Sequence, residues 1–159
     1  MHGPASMWLW GLLATGLLTT LLRASQALGF TRMDVPFLLG SMVTSNRDRA
    51  KVLGFVIHFI NGFLFALLYA AFFEAFGFAT WWLGSLMGLA HAVFVLVVVL
   101  PLLPGSHPRM ASEFRGPEPT RLLEPPGFLA TNYGRMTPLV TLVAHTTYGL
   151  ILGAFYTLR

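Results

Sequence analysis

The sequence predicts an all-α membrane protein, a bundle of four transmembrane helices. Three observations carry this. The 159 residues are 55% hydrophobic and only 10% charged, whereas soluble domains run near a quarter charged. The apolar residues gather into four stretches of about 18–25 residues, enough to cross roughly 30 Å of hydrocarbon. The basic residues lie almost wholly between those stretches. A soluble core of this size could not hide so much apolar surface, and backbone groups in lipid must be satisfied internally, so the spans are helices.

The expected helices cover about residues 5–30, 52–76, 80–103 and 137–158, in one domain spanning 1–159. The first is read as a retained helix, because Arg23 follows the apolar run and no positive charge precedes it, the wrong polarity for a cleaved signal. Ser45 or Asn46 can cap the second, whose first turn is Arg47-Asp48-Arg49. Thr80 caps the third, and Pro101 and Pro104 end it. Thr137-Pro138 reads as an N-cap followed by proline at the first helical position of the fourth.

Two long loops, about residues 31–51 and 104–136, separate these helices. Asp34-Val35-Pro36 opens a short helix, Pro36 to Val43, too short to span and expected to lie in the interface. The second loop is proline-rich but carries apolar patches at Leu122-Leu123 and Phe128-Leu129. A loop of that length is functional, partner-binding or disordered, and the patches favour docking.

Orientation follows from Lys and Arg. Arg23, Arg32, Arg47, Arg49 and Lys51 flank the first loop, and Arg109, Arg115, Arg121 and Arg135 lie in the second. Arg159 alone falls elsewhere, so nine of ten basic residues share one side. The positive-inside rule makes both loops cytoplasmic and both termini external. Trp8, Trp10, Trp81 and Trp82 then form an outer aromatic belt. The same distribution disposes of nucleic acid as a partner despite a pI near 10.1: the charges orient the chain and meet anionic headgroups. The absence of cysteine excludes disulfides, thiolate metal sites and cysteine nucleophiles.

Helices two and four share a stripe. His58, Gly62, Ala66 and Tyr69 have the same offsets as His145, Gly149, Gly153 and Tyr156. This opens a reading as two pseudo-symmetric out-in-out hairpins related by an axis along the membrane normal. Small residues every fourth position also serve close helix packing, which explains most of the pattern without a duplication. It does not explain the histidines.

Measured from the cytoplasmic ends, His58, His145, Asn61 and His91 lie roughly 10, 12, 15 and 18 Å deep. With Tyr148 they form an intramembrane polar locus. Ionisable residues at such depth are costly and are functional candidates, although a neutral histidine can simply bond helices together. His58 and His145 are level, which suits bis-histidine ligation of haem b. A transition-metal site of three histidines finds His91 roughly 6–8 Å too deep unless the helices tilt. The third possibility is a polar path for a proton, cation or small solute, which in so narrow a bundle needs oligomerisation. No cofactor at all is the simplest expectation.

Catalysis has little support. His107, Glu113, Glu118 and Glu124 lie in the second loop with Arg109, Arg115 and Arg121. Alternating signs in such a loop read as a solvated or salt-bridged surface, and no nucleophile elbow, P-loop or HExxH pattern occurs. Asp34, Arg47, Arg49, His107, Arg109 and Glu113 are instead candidate loop-interaction residues.

The strings Arg32-Met33-Asp34-Val35-Pro36 and His107-Pro108-Arg109-Met110-Ala111-Ser112-Glu113, with the HxxxG helices, resemble the uncharacterised small four-helix inner-membrane proteins of bacteria. That resemblance covers most of the chain. It implies a bacterial inner-membrane location and transfers no site or activity. The leading expectation is a non-enzymatic accessory or assembly subunit, meeting other membrane subunits or further copies of itself. A small transporter or channel using the histidines is the rival, and a haem- or metal-binding electron-transfer subunit is third.

Overall fold

The computed structural model describes residues 4–112, 119 and 121–158, with side chains from Ser6 onward. Among these residues the chain is all-helical, with no strand and one isolated bridge between Met110 and Leu123. Four helical spans are long and apolar enough to cross a membrane: Ser6–Ala27, Arg47–Phe76, Trp81–Ser106 and Thr137–Phe155. Their outward residues are apolar, with Val52, Ile60 and Leu64 each more than half exposed. Water would penalise that surface, and lipid would not.

Helix α1 (Pro4–Ala27) stops short of residue 30. Gly29 takes φ 78°. The Phe30 N–H reaches back to Ser25 O at 2.9 Å and Gly29 N–H to Gln26 O at 3.1 Å. This is a Schellman cap, in which glycine adopts the left-handed conformation that ends the helix. Helix α2 (Val35–Gly40) begins where expected, with the Asp34 carboxylate accepting from the Phe37 N–H at 3.0 Å. It ends three residues early, and Val43 and Thr44 turn back onto Gly40 O. Helix α3 (Arg47–Phe76) starts on an Asn46 cap, whose side-chain oxygen accepts from the Arg49 N–H at 3.0 Å.

The third span corrects the sequence reading. Helix α4 (Trp81–Phe94) slips into a π-helical turn, Val95–Val99, and re-enters α geometry as α5 (Leu100–Ser106). Pro101 and Pro104 therefore do not end it. Pro101 sits in the first turn of α5, where a missing N–H costs little. Pro104 forgoes one bond two residues before the helix stops. The last span is helix α6 (Thr137–Phe155).

The described residues form two compact units. The first draws on Met1–Leu22, Phe59–Val93 and Thr141–Arg159. Within it each small-residue stripe packs against the span before it. A Cβ on Gly62 would strike Thr15 of α1, and a Cβ on Gly84 of α4 would strike the Gly149 carbonyl of α6, and the reverse. Only glycine lets α4 and α6 approach backbone to backbone there. The Ser6 hydroxyl bonds to Phe155 O at 3.3 Å, and the Tyr156 hydroxyl to Glu74 at 2.8 Å. Trp8 stacks on Phe63 and Trp10 on Phe155.

The second unit comprises Arg23–His58 and Phe94–Val140. Both long loops belong to it, and they are tied together. The Arg32 N–H donates to Tyr133 O at 2.6 Å, and its guanidinium to Asn132 O at 2.5 Å and to Glu124 at 2.8 Å. Thr31 and Thr137 hydroxyls share a buried bond of 2.7 Å. Gly40 and Gly54 bring α2 onto α3: a Cβ on Gly40 would strike Ala50 O, and one on Gly54 would strike Pro36 O.

Candidate functional site

Two polar constellations emerge, one in each unit. The first is built on α3, α4 and α6. Gly88 packs on the carbonyl of His145, so α4 and α6 touch one turn before His91. The His91 ring thus comes edge-on to the His145 ring, with centroids 4.8 Å apart. The estimated depth gap between these residues is overturned, because a straight, parallel helix was the wrong ruler for a pair pressed together on glycines. His91 also stacks on Phe65 at 3.9 Å and lies 6.2 Å from Tyr69 and 6.3 Å from Tyr148. Tyr69 and Tyr148 meet edge to face at 5.5 Å.

Hydrogen bonds define the protons here. His145 Nδ1 lies 2.9 Å from Thr141 O. A carbonyl only accepts, so Nδ1 carries the hydrogen and Nε2 is the lone-pair nitrogen. The Tyr148 hydroxyl donates to Gly62 O at 2.5 Å. By contrast, the buried His91 Nδ1 and Tyr69 hydroxyl have no hydrogen-bond partner among the described residues. Buried polar atoms without partners are rare enough to ask for a reason, such as a bound water or ion.

Of the predicted locus, His91, His145 and Tyr148 are therefore brought together. Asn61 is half-buried on α3, and His58 belongs to the other unit. Tyr69 and Phe65 were missed as members. Tyr69 had been read as an interfacial residue, yet it is only 3% exposed. Among the described residues no group of three or more His, Asp or Glu side chains could hold a metal ion. A three-histidine metal centre thus has no donor set there, and the two histidines that do meet are packed ring against ring.

The second constellation surrounds α2. His107 is 1% exposed and is gripped at both ring nitrogens. The Arg109 N–H donates to Nδ1 at 3.1 Å, and Nε2 donates to Leu38 O at 3.0 Å. Burial, reinforced by the Arg109 charge, holds the imidazole below its ordinary pKa. The Ser41 hydroxyl is 3.4 Å from Nε2. Because Nε2 already carries a hydrogen, His107 cannot take the serine proton, and the pair is not a nucleophile and its base. The Arg109 guanidinium donates to Ser41 O at 2.6 Å and Met42 O at 3.3 Å.

Asp34 joins α2 to Arg23 by an ion pair of 3.0 Å, and Arg47 lies 5.3 Å over the Phe37 ring. Arg49 contributes its N–H to the Asn46 cap, and its side chain is exposed. Glu113, together with Arg115 and Glu118, lies outside the described residues. Sequence reasoning missed Arg32, Ser41, Glu124 and Tyr133. Tyr133 donates to Glu124 O at 2.7 Å, and burial pushes its phenol up to about 12. Arg32 carried a signal in its proximity to Asp34, whereas nothing in the sequence tied it to Tyr133.

Comparison of the chain with protein-family models, with curated proteins and with solved structures gives no match. What stands is the class: an all-helical chain whose four long apolar spans suit a multi-pass membrane protein.

Proposed function

We propose that this chain is a non-enzymatic accessory or assembly subunit of a bacterial inner-membrane complex, acting through its loop-built unit. One observation carries the reading. A proline-rich loop that composition leaves free to be disordered is instead fastened to the other loop through Arg32, His107 and Arg109. That fastening presents Phe128 82% exposed to the surroundings. The residues after it, Leu129 and Ala130, are held at φ 50° and 60°. Non-glycine residues persist in that left-handed region only where neighbouring structure imposes it. A rigid scaffold that holds out a bare aromatic ring suits recognition of another protein.

In this reading the loops are cytoplasmic, both termini are external, and α2 lies at the interface. Nine of ten basic residues between the spans support that orientation. The packing of the α3 stripe on α1 and of the α6 stripe on α4 supports a duplicated hairpin.

The test places a photoreactive benzoylphenylalanine at position 128 in cells. The expected result is a crosslink to one discrete membrane protein, and lipid adducts alone would overturn the reading. Orientation is tested by Ser45→Cys and Phe78→Cys, in a chain with no native cysteine. An impermeant maleimide should label the second in intact cells and the first only after permeabilisation.

A second reading has its own observation, the partnerless His91 Nδ1 and Tyr69 hydroxyl. These atoms support a polar path for protons, with the His145 lone pair as a further station. Proton flux in proteoliposomes that survives His91→Phe with His145→Phe removes that reading.

A further inference from the structure

A groove of about 360 Å³ runs along the second unit, where the end of α1 and the start of α3 meet α2. Its two ends differ in chemistry. Arg23 and Lys51 stand at one end, and Val52, Phe55 and Val56 continue it along α3. Those three apolar side chains are 67%, 47% and 50% exposed. The polarity thus changes where the apolar span begins, at the level at which a bilayer changes from headgroup to acyl chain.

The charges at the polar end are not used up internally. Asp34 lines the groove too, but its carboxylate is occupied by Arg23 at 3.0 Å and by the α2 cap. Arg23 bonds to Asp34 and Gln26 through Nη1 alone. A guanidinium has five N–H donors, so Nε and Nη2 remain for another acceptor. Lys51 is exposed and has no ion-pair partner among the described residues. Net positive charge against an apolar trough is complementary to a phosphodiester bearing acyl chains.

We infer that this groove binds one anionic glycerophospholipid, its phosphate between Lys51 and Arg23 and an acyl chain along Val52, Phe55 and Val56. The site goes beyond a protein-docking role and does not depend on one. It shares with that role only the membrane location.

The experiment is native mass spectrometry of the full chain, released from detergent with phosphatidylglycerol and phosphatidylcholine of identical acyl chains in competition. One phosphatidylglycerol should be retained in preference. Lys51→Gln should cut that preference about fivefold, the weight of one basic side chain at an anionic surface. Arg135→Gln, another exposed basic residue, should leave it unchanged. Val56→Trp should fill the trough and reduce retention of both lipids. Equal retention of the two lipids overturns the site, as does an Arg135→Gln loss equal to that of Lys51→Gln. Displacement of the lipid by inorganic phosphate, with Val56→Trp silent, would show a simple anion site and overturn it as well.

Discussion

The imidazoles of His91 and His145 meet edge to face with 4.8 Å between their centres. One is anchored to a carbonyl through Nδ1, and the other keeps Nδ1 buried without a partner. An unsatisfied buried polar atom costs about 1–3 kcal/mol, and replacing it with an apolar group of similar shape is neutral or favourable. His91→Phe, which keeps a ring for Phe65 to stack on, should leave thermal stability in detergent equal to the parent or higher. A marked loss would mean that His91 Nδ1 does have a partner, a water or an ion held in the native protein.

The glycine contact beneath that pair is less forgiving. A Cβ at Gly84 falls on the Gly149 carbonyl, and backbone cannot swing aside like a side chain. Gly84→Val should destabilise by about 1–3 kcal/mol, the usual penalty for overpacking. The drop would be read from the denaturation midpoint in mild detergent. Gly105→Val is the control, because a Cβ there meets nothing within 4 Å.

His107 makes the loop unit sensitive to acid. Its folded pKa is lowered from the ordinary 6.5, chiefly by burial. The unfolded state therefore binds the proton more readily, and stability rises with pH through this window. The contribution is complete above about pH 6.5. It is lost as pH falls through the folded value below that, when the proton on Nδ1 displaces the Arg109 N–H. The denaturation midpoint should decline below about pH 6.5, and His107→Gln should flatten that part of the curve.

Arg32 and Glu124 form an ion pair, but their weights differ. Both side chains are well exposed, at 68% and 45%, so the pair itself is worth about 0–1 kcal/mol. Arg32 also donates its side chain to Asn132 O, whereas Tyr133 uses the backbone oxygen of Glu124 and not its carboxylate. Glu124→Ala should thus be nearly silent. Arg32→Ala should loosen the second loop and speed tryptic cleavage at Arg121, seen as earlier fragment appearance in limited proteolysis.

The spans were legible because lipid imposes a coarse rule on composition, and their caps were legible where a side chain does the capping, as at Asp34 and Asn46. The early stop of α1 was not, although Gly29 was visible, because a Schellman cap depends on backbone geometry. The π turn was invisible, since five consecutive residues of Val and Leu carry no mark of i→i+5 bonding. Within the site, the helix stripe pointed to His145 and Tyr148. The His91 contact depended on how closely α4 and α6 approach, a tertiary quantity that rise per residue cannot supply. The loop ties through Arg32 and Tyr133 join positions about a hundred residues apart in sequence, where no local pattern reaches.

The π turn at Val95–Val99 holds one residue more than an α-helix of the same height would need. It acts as a length reserve and a rotational offset, turning everything after it by about 100° relative to an uninterrupted helix. Loss of a single valine would leave a regular apolar span of adequate length. It would also carry Leu100 and Leu103 off their buried face and swing His107 away from Leu38. The anchor of the loop unit is thus encoded less by the histidine itself than by a residue count in a featureless apolar run, where a one-codon deletion would be easy to mistake for a harmless one.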